Sequence, residues 1–131
     1  MSRAFKTATF ARWLKKSSLT DADLCRSVAE MKQGLIDAHL GGHVVKKRVA
    51  PAGRGKSGAS RTLVATNLDS RWYFLFGFNK NERANIDPAE LQALQEVAKD
   101  LLRLDDAAIA SALAANTLVE ICHDNEDDKT P

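Results

Sequence analysis

The chain has 131 residues, of which 44% are hydrophobic and 27% charged, with a formal net charge of +2. This length fits one domain around one core, and the composition excludes wholesale disorder. No apolar run approaches the roughly 18 to 20 residues of a membrane span, so a helical membrane protein is excluded too.

The small net charge conceals a segregation. Residues 1–42 carry 7 basic and 4 acidic groups, residues 43–83 carry 9 and 2, and residues 84–131 carry 3 and 11. A middle segment this basic attracts polyanions or an acidic partner. The first 19 residues hold Arg3, Lys6, Arg12, Lys15 and Lys16 and no acid. Such a stretch mimics a transit peptide but lacks the apolar run of a secretory signal, so it reads as the first strand and helix of the domain. Cys25 and Cys122 do not form a secreted-type framework. They read as two buried thiols of a reducing cytosol, with a single disulfide as the alternative.

In chain order, Phe5, Thr7 and Thr9 alternate with Lys6 and Ala8, which predicts a short edge strand. Phe10 to Lys16 predicts one or two helical turns. Thr20-Asp-Ala-Asp23 reads as a helix start, with Thr20 as cap and two acids at the positive end of the dipole. Leu24, Val28, Met31 and Leu35 form one apolar stripe, and Gly34 is placed to end the helix. His39-Leu-Gly-Gly-His43 reads as a turn, and Val44 to Val49 as a strand. The glycine-rich stretch 51–60 predicts a hairpin loop. Arg61 to Leu68 and Arg71 to Phe78 predict two more strands. The second, Trp-Tyr-Phe-Leu-Phe-Gly-Phe, is the most apolar stretch and is expected at the sheet centre. Asp87-Pro-Ala-Glu90 is a capping box with Pro at the first helical position. Leu91, Leu94, Val97, Ala98, Leu101 and Leu102 are the stripe of that helix. Asp105 or Asp106 caps a second short helix, and Leu118 to Cys122 predicts a last strand. This order gives an α+β domain. We expect a single compact domain over 1–123 and an acidic, disordered tail over 124–131.

Three motifs invite chemistry and are rejected. Ala50-Pro-Ala-Gly-Arg-Gly-Lys-Ser57 satisfies a relaxed phosphate-loop spacing after a strand. That loop works only when a helix begins at its end, so that backbone N–H groups face the phosphates. Here Gly58 to Ala65 reads as a strand. His39, His43, Cys122 and His123 do not share one face, so no metal site is expected. No nucleophile-elbow pattern supports a Ser/His/Asp triad. What remains is a basic constellation: Lys46, Lys47, Arg48, Arg54, Lys56, Arg61, Lys80 and Arg83. These lie on consecutive predicted strands and their loops, where antiparallel neighbours would gather them on one side of the sheet. Such a surface binds a phosphate backbone.

Several stretches resemble the RelE/ParE superfamily of toxin–antitoxin toxins, in a HigB-like branch. They are Gly34-Leu-Ile-Asp-Ala-His-Leu-Gly-Gly42, Val45-Lys-Lys-Arg-Val-Ala50, Gly55-Lys-Ser-Gly-Ala-Ser-Arg61 and Phe76-Gly-Phe-Asn-Lys-Asn-Glu-Arg-Ala-Asn-Ile86. The capped helix at Asp87 and the closing Leu118-Val-Glu-Ile121 also fit. The resemblance implies a twisted antiparallel sheet with helices packed on one face. It implies cytoplasmic cleavage of messenger RNA on the ribosome, with no cofactor or metal, and control by an antitoxin of helix-turn-helix type. In that chemistry the ribose 2′-OH attacks the adjacent phosphate, and dense cations stabilise the charge. Carried over by position, Arg48, Lys56, Arg61 and Lys80 are the catalytic candidates, with Arg61 as phosphate clamp and Lys80 as acid or base. Lys46, Lys47, Arg54, Ser57 and Arg83 are the RNA-binding candidates. Some relatives place a Tyr or His late in the chain for proton transfer. Here only Tyr73, inside a strand, and His123, past the family-like region, are available. The alternative from the same superfamily is a ParE-like inhibitor of DNA gyrase with no reaction of its own.

Overall fold

The computed structural model describes residues 2–53 and 58–123. Its elements run β1 (Arg3–Thr7), α1 (Ala8–Lys15), α2 (Asp21–Lys32), β2 (Ala38–Gly41), β3 (Val44–Val49), β4 (Ser60–Thr66), β5 (Arg71–Phe78), α3 (Pro88–Leu102), α4 (Asp106–Ala114) and β6 (Leu118–Ile121). The strands form one six-stranded sheet in the order β2-β3-β4-β5-β1-β6. Only the β1–β5 pair is parallel. This is the expected α+β class.

Local signals produced most of these elements. Thr20 caps α2 through a complete box with Asp23, and Asp87 caps α3 through one with Glu90. Gly34, at φ +89°, closes α2. Its N–H reaches the Met31 carbonyl at 2.9 Å, and the Leu35 N–H reaches the Glu30 carbonyl at 3.0 Å. This left-handed stop favours a residue without a β-carbon.

Four expectations are corrected. β1 is not an edge strand, since it lies between β5 and β6, and Thr9 belongs to α1. His39 lies in β2, an edge strand beside β3, so the turn is limited to the residues just after that strand. Leu35 is exposed, because the helix has ended before it. The helices do not share one face of the sheet. Phe10 and Leu14 of α1 and Leu24, Val28 and Met31 of α2 pack with Ala4, Val45, Val64, Trp72 and Phe74. Ala98 of α3 and Ile109 of α4 pack with Phe5, Val44, Leu63, Tyr73 and Leu75 on the other side. Successive strand residues point to opposite faces. A fully apolar run such as Trp72 to Leu75 therefore demands cover on both.

The cysteines also depart from the thiol reading. Cys25 of α2 and Cys122, just after β6, form a disulfide across a sequence separation of 97.

Candidate functional site

The register of β3 against β4 decides which cations meet. Lys46 stands opposite Leu63, Lys47 opposite Thr62, and Arg48 opposite Arg61. Val45 and Val49 face α1 and α2, and alternation sends Lys47 with them. Val44 and Leu63 face α3 and α4, so Lys46, Arg48 and Arg61 project from that face.

A bulge in β5 completes the arrangement. Leu63 pairs with Phe76 but Val64 pairs with Phe74, leaving Leu75 as the extra residue. The phase shift turns Phe76 and Phe78 to the face of Arg61. It turns Gly77 toward α1, where an added β-carbon would come within 2.5 Å of the Trp13 ring. The Arg83 guanidinium lies 5.9 Å from the centre of the Phe76 ring and 5.8 Å from that of Phe78. Lys46, Arg48, Arg61 and Arg83 thus share one face with two aromatic rings.

Carboxylates and carbonyls aim these cations. Asp37 accepts the Arg48 backbone N–H at 2.7 Å and its Nε at 3.0 Å. Burial pushes the Asp37 carboxyl up, but the Arg48 N–H, the Arg48 guanidinium and the charge of Lys47 outweigh it, leaving the group below its ordinary value. Arg61 donates from Nη1 to the Ala59 carbonyl at 3.0 Å. Arg83 grips Glu90 with both Nη atoms, one of them at 2.9 Å from Oε2. The Arg83 hydrogen bond, then the Asp87 N–H, hold the Glu90 carboxyl at about 2. Glu90 therefore serves both as the partner of Arg83 and as part of the α3 cap.

The expected residues divide accordingly. Arg48 and Arg61 are brought together, with Lys46 and Arg83 on their face. Lys47 is corrected: its side chain is 5% exposed on the opposite face, bound to Glu30 at 2.7 Å and to the Leu35 carbonyl at 2.8 Å. It fastens α2 to β3 and does not face Arg61. Lys80 is exposed in the turn after β5, where with Gly58, Ala59, Asn79 and Asn81 it borders an open hollow of about 630 Å³. Arg54, Lys56 and Ser57 lie outside the described residues, as does the tail 124–131. Among the described residues, β4 begins at Ser60, where a phosphate loop would continue into an α-helix.

The late proton-transfer candidates stand elsewhere. Tyr73 is enclosed, stacked 5.0 Å from Phe5, and burial pushes its hydroxyl up. His123 is exposed beyond β6, at the far edge of the sheet from β3 and β4. Cys122 is committed to its disulfide, which removes it from any ligand set with the histidines. Sequence reasoning missed Asp37, Glu90 as the partner of Arg83, and the rings beneath Arg83. The spacing Phe76-x-Phe78 was the one available signal, since alternate strand residues share a face. Asp37 carried none, because its role depends on two segments meeting in space.

Like charges on paired strand residues are costly. With Arg48 aimed by Asp37 and Arg61 by the Ala59 carbonyl, the pair concentrates positive charge on one face, which suits an anion with several oxygens. Arg83, resting on Phe76 and the buried Phe78, adds a flat cationic surface of the kind on which nucleobases stack. Among the described residues, no helix is long and apolar enough to cross a membrane.

Residues 2–121 match the family model described as the RelE toxin of the RelE/RelB toxin–antitoxin system. A comparison with curated proteins finds no match. The family match covers nearly the whole chain, including every strand of the sheet. Membership implies an antitoxin partner. The chain belongs to the RelE family, the toxins of toxin–antitoxin pairs.

Proposed function

We propose that this toxin is a metal-independent endoribonuclease of the HigB-like branch, which cleaves messenger RNA on the translating ribosome in the cytoplasm. The observation that carries the reading is the direct opposition of Arg48 and Arg61 across β3 and β4. Like charges in register destabilise a sheet. A surface that keeps them, and spends a carboxylate on aiming one of them, suits the charge that builds on a phosphate under attack.

In this mechanism the ribose 2′-OH attacks the adjacent phosphorus, and the 5′-oxygen leaves with a proton. Arg61 clamps non-bridging oxygens, and Arg48 neutralises the added charge. Lys80 supplies or removes a proton from the neighbouring turn, with Lys56 as the second amine. Lys46 and Arg83 hold flanking phosphates, as do Arg54 and Ser57, while Phe76 and Phe78 support the Arg83 plane. The antitoxin, a helix-turn-helix protein in this reading, covers the basic face and so blocks RNA.

The test is induced expression followed by mapping of transcript ends. Translation should stop, and new 5′ ends should appear within codons. Intact messenger RNA together with inhibited DNA gyrase would replace this reading with the ParE-like one.

A further inference from the structure

We propose that the Cys25–Cys122 disulfide is a reversible redox site, a clasp that fastens the last strand to α2 and exchanges with a cellular dithiol. Three observations meet at this bond. First, β6 is a four-residue strand at the sheet edge whose one sheet neighbour among the described residues is β1. Beyond that ladder it is held by the Arg3–Glu120 ion pair, with both contacts at 2.8 Å, and by the burial of Leu118 and Ile121 in the two cores. The disulfide adds the one covalent tie, immediately after Ile121 and onto the middle of α2.

Second, the bond is reachable. Both cysteines are half-buried, packed against the core that lies under α1 and α2. They line a cavity of about 550 Å³ between α2 and the end of β6, bordered also by Arg26, Lys32 and His123. A thiolate needs such an approach to one sulfur, and a sealed structural bond would deny it.

Third, Cys122 sits at φ +59°, in the left-handed region that a β-carbon disfavours. Breaking the bond frees that residue to relax into extended backbone. The closed state thus carries a local backbone cost that opening removes.

The exchange balances without a metal. A thiolate of the incoming dithiol attacks one sulfur, the S–S bond breaks, and the other cysteine leaves as a thiolate. The second thiol of the dithiol then resolves the mixed disulfide, releasing the second cysteine. Two electrons pass to the protein, the two protons of the dithiol end on Cys25 and Cys122, and the dithiol becomes a disulfide. Oxidised glutathione re-forms the bond: a cysteine thiolate attacks its disulfide and releases one glutathione, and the other cysteine then displaces the second.

Wild-type protein is equilibrated, natively folded, in glutathione buffers of graded ratio and in dithiothreitol. Free thiols are counted by alkylation and mass spectrometry. The count should move reversibly between none and two per chain, the two cysteines the sequence contains. Reduction should lower Tm by roughly 10 °C, as expected for opening a long loop. Amide exchange should rise at β6 while β3 and β4 stay protected. The Cys25→Ser/Cys122→Ser variant should match the reduced protein and ignore reductant; the wild-type titration decides the matter if that variant does not fold. Two free thiols persisting in oxidised glutathione would overturn the proposal. So would a bond that dithiothreitol opens only after unfolding, or unchanged protection of β6 on reduction.

Discussion

Asp37 binds Arg48 at two points, the backbone N–H at 2.7 Å and Nε at 3.0 Å, and so ties the segment before β2 to the strand that carries the arginine. Arg48 in turn stands directly opposite Arg61. The carboxylate offsets a repulsion the sheet would otherwise carry, and it sets the direction of one guanidinium. Asp37→Asn keeps the size and one acceptor but removes the charge. We expect it to lower RNA-cleaving activity about 10-fold, through kcat more than KM, because a misaimed stabiliser is felt mainly in the transition state. Steady-state cleavage kinetics check this; an unchanged kcat would show that Asp37 serves the fold alone.

Arg61→Ala should leave the fold intact, since the side chain sits at the start of β4 and, among the described residues, donates to the Ala59 carbonyl. Activity should fall on the order of 100- to 1000-fold, the cost of one preorganised donor. Arg61→Lys should rescue little, because a point charge does not reproduce a two-pronged fork. Circular dichroism together with a toxicity assay separates folding from function. Full toxicity in both variants would place the site elsewhere.

Lys47→Ala should act on stability. Its ammonium is buried between Glu30 and the Leu35 carbonyl, and losing charged hydrogen bonds of this kind costs about 2 kcal/mol. Urea denaturation measures the loss. RNA affinity should change far less than in Lys46→Ala, whose side chain lies on the face of Arg48 and Arg61. Equal effects of the two variants on RNA binding would contradict the division of β3 into two faces.

Glu90 predicts an acid-sensitive cap. Its carboxyl is lowered to about 2 from an ordinary 4.5 by Arg83, then by the Asp87 N–H. A depressed folded-state value means that the contribution to stability is present above about 4.5. It is lost as the pH falls from there toward about 2. Glu90→Gln should therefore flatten the dependence of Tm on pH in that window and leave it unchanged near neutrality. It should also loosen Arg83 from its place over Phe76 and Phe78. An unaltered acid limb in the variant would show that other carboxylates govern it.

The sequence by itself determined the elements and the family. Thr20 with Asp23, Asp87 with Glu90, and Gly34 act within a few residues, so their capping and stopping roles are local chemistry. The apolar run from Trp72 to Leu75 likewise marked the central strand, because a strand apolar at every position needs cover on both faces along its whole length. Tertiary structure alone decided the partnerships. Lys46, Lys47 and Arg48 read as one basic run, but the two-residue period of a strand sends the middle one into the α2 side and its neighbours to the other. The bulge at Leu75 put Phe76 and Phe78 beside Arg61, and a bulge depends on how two strands match and not on either alone. The disulfide joined residues 97 positions apart, a closure that no spacing rule could distinguish from two separate thiols. Local signals specify conformation residue by residue. A site assembled from opposed strands exists only once register and face are set, and those are properties of the packed sheet.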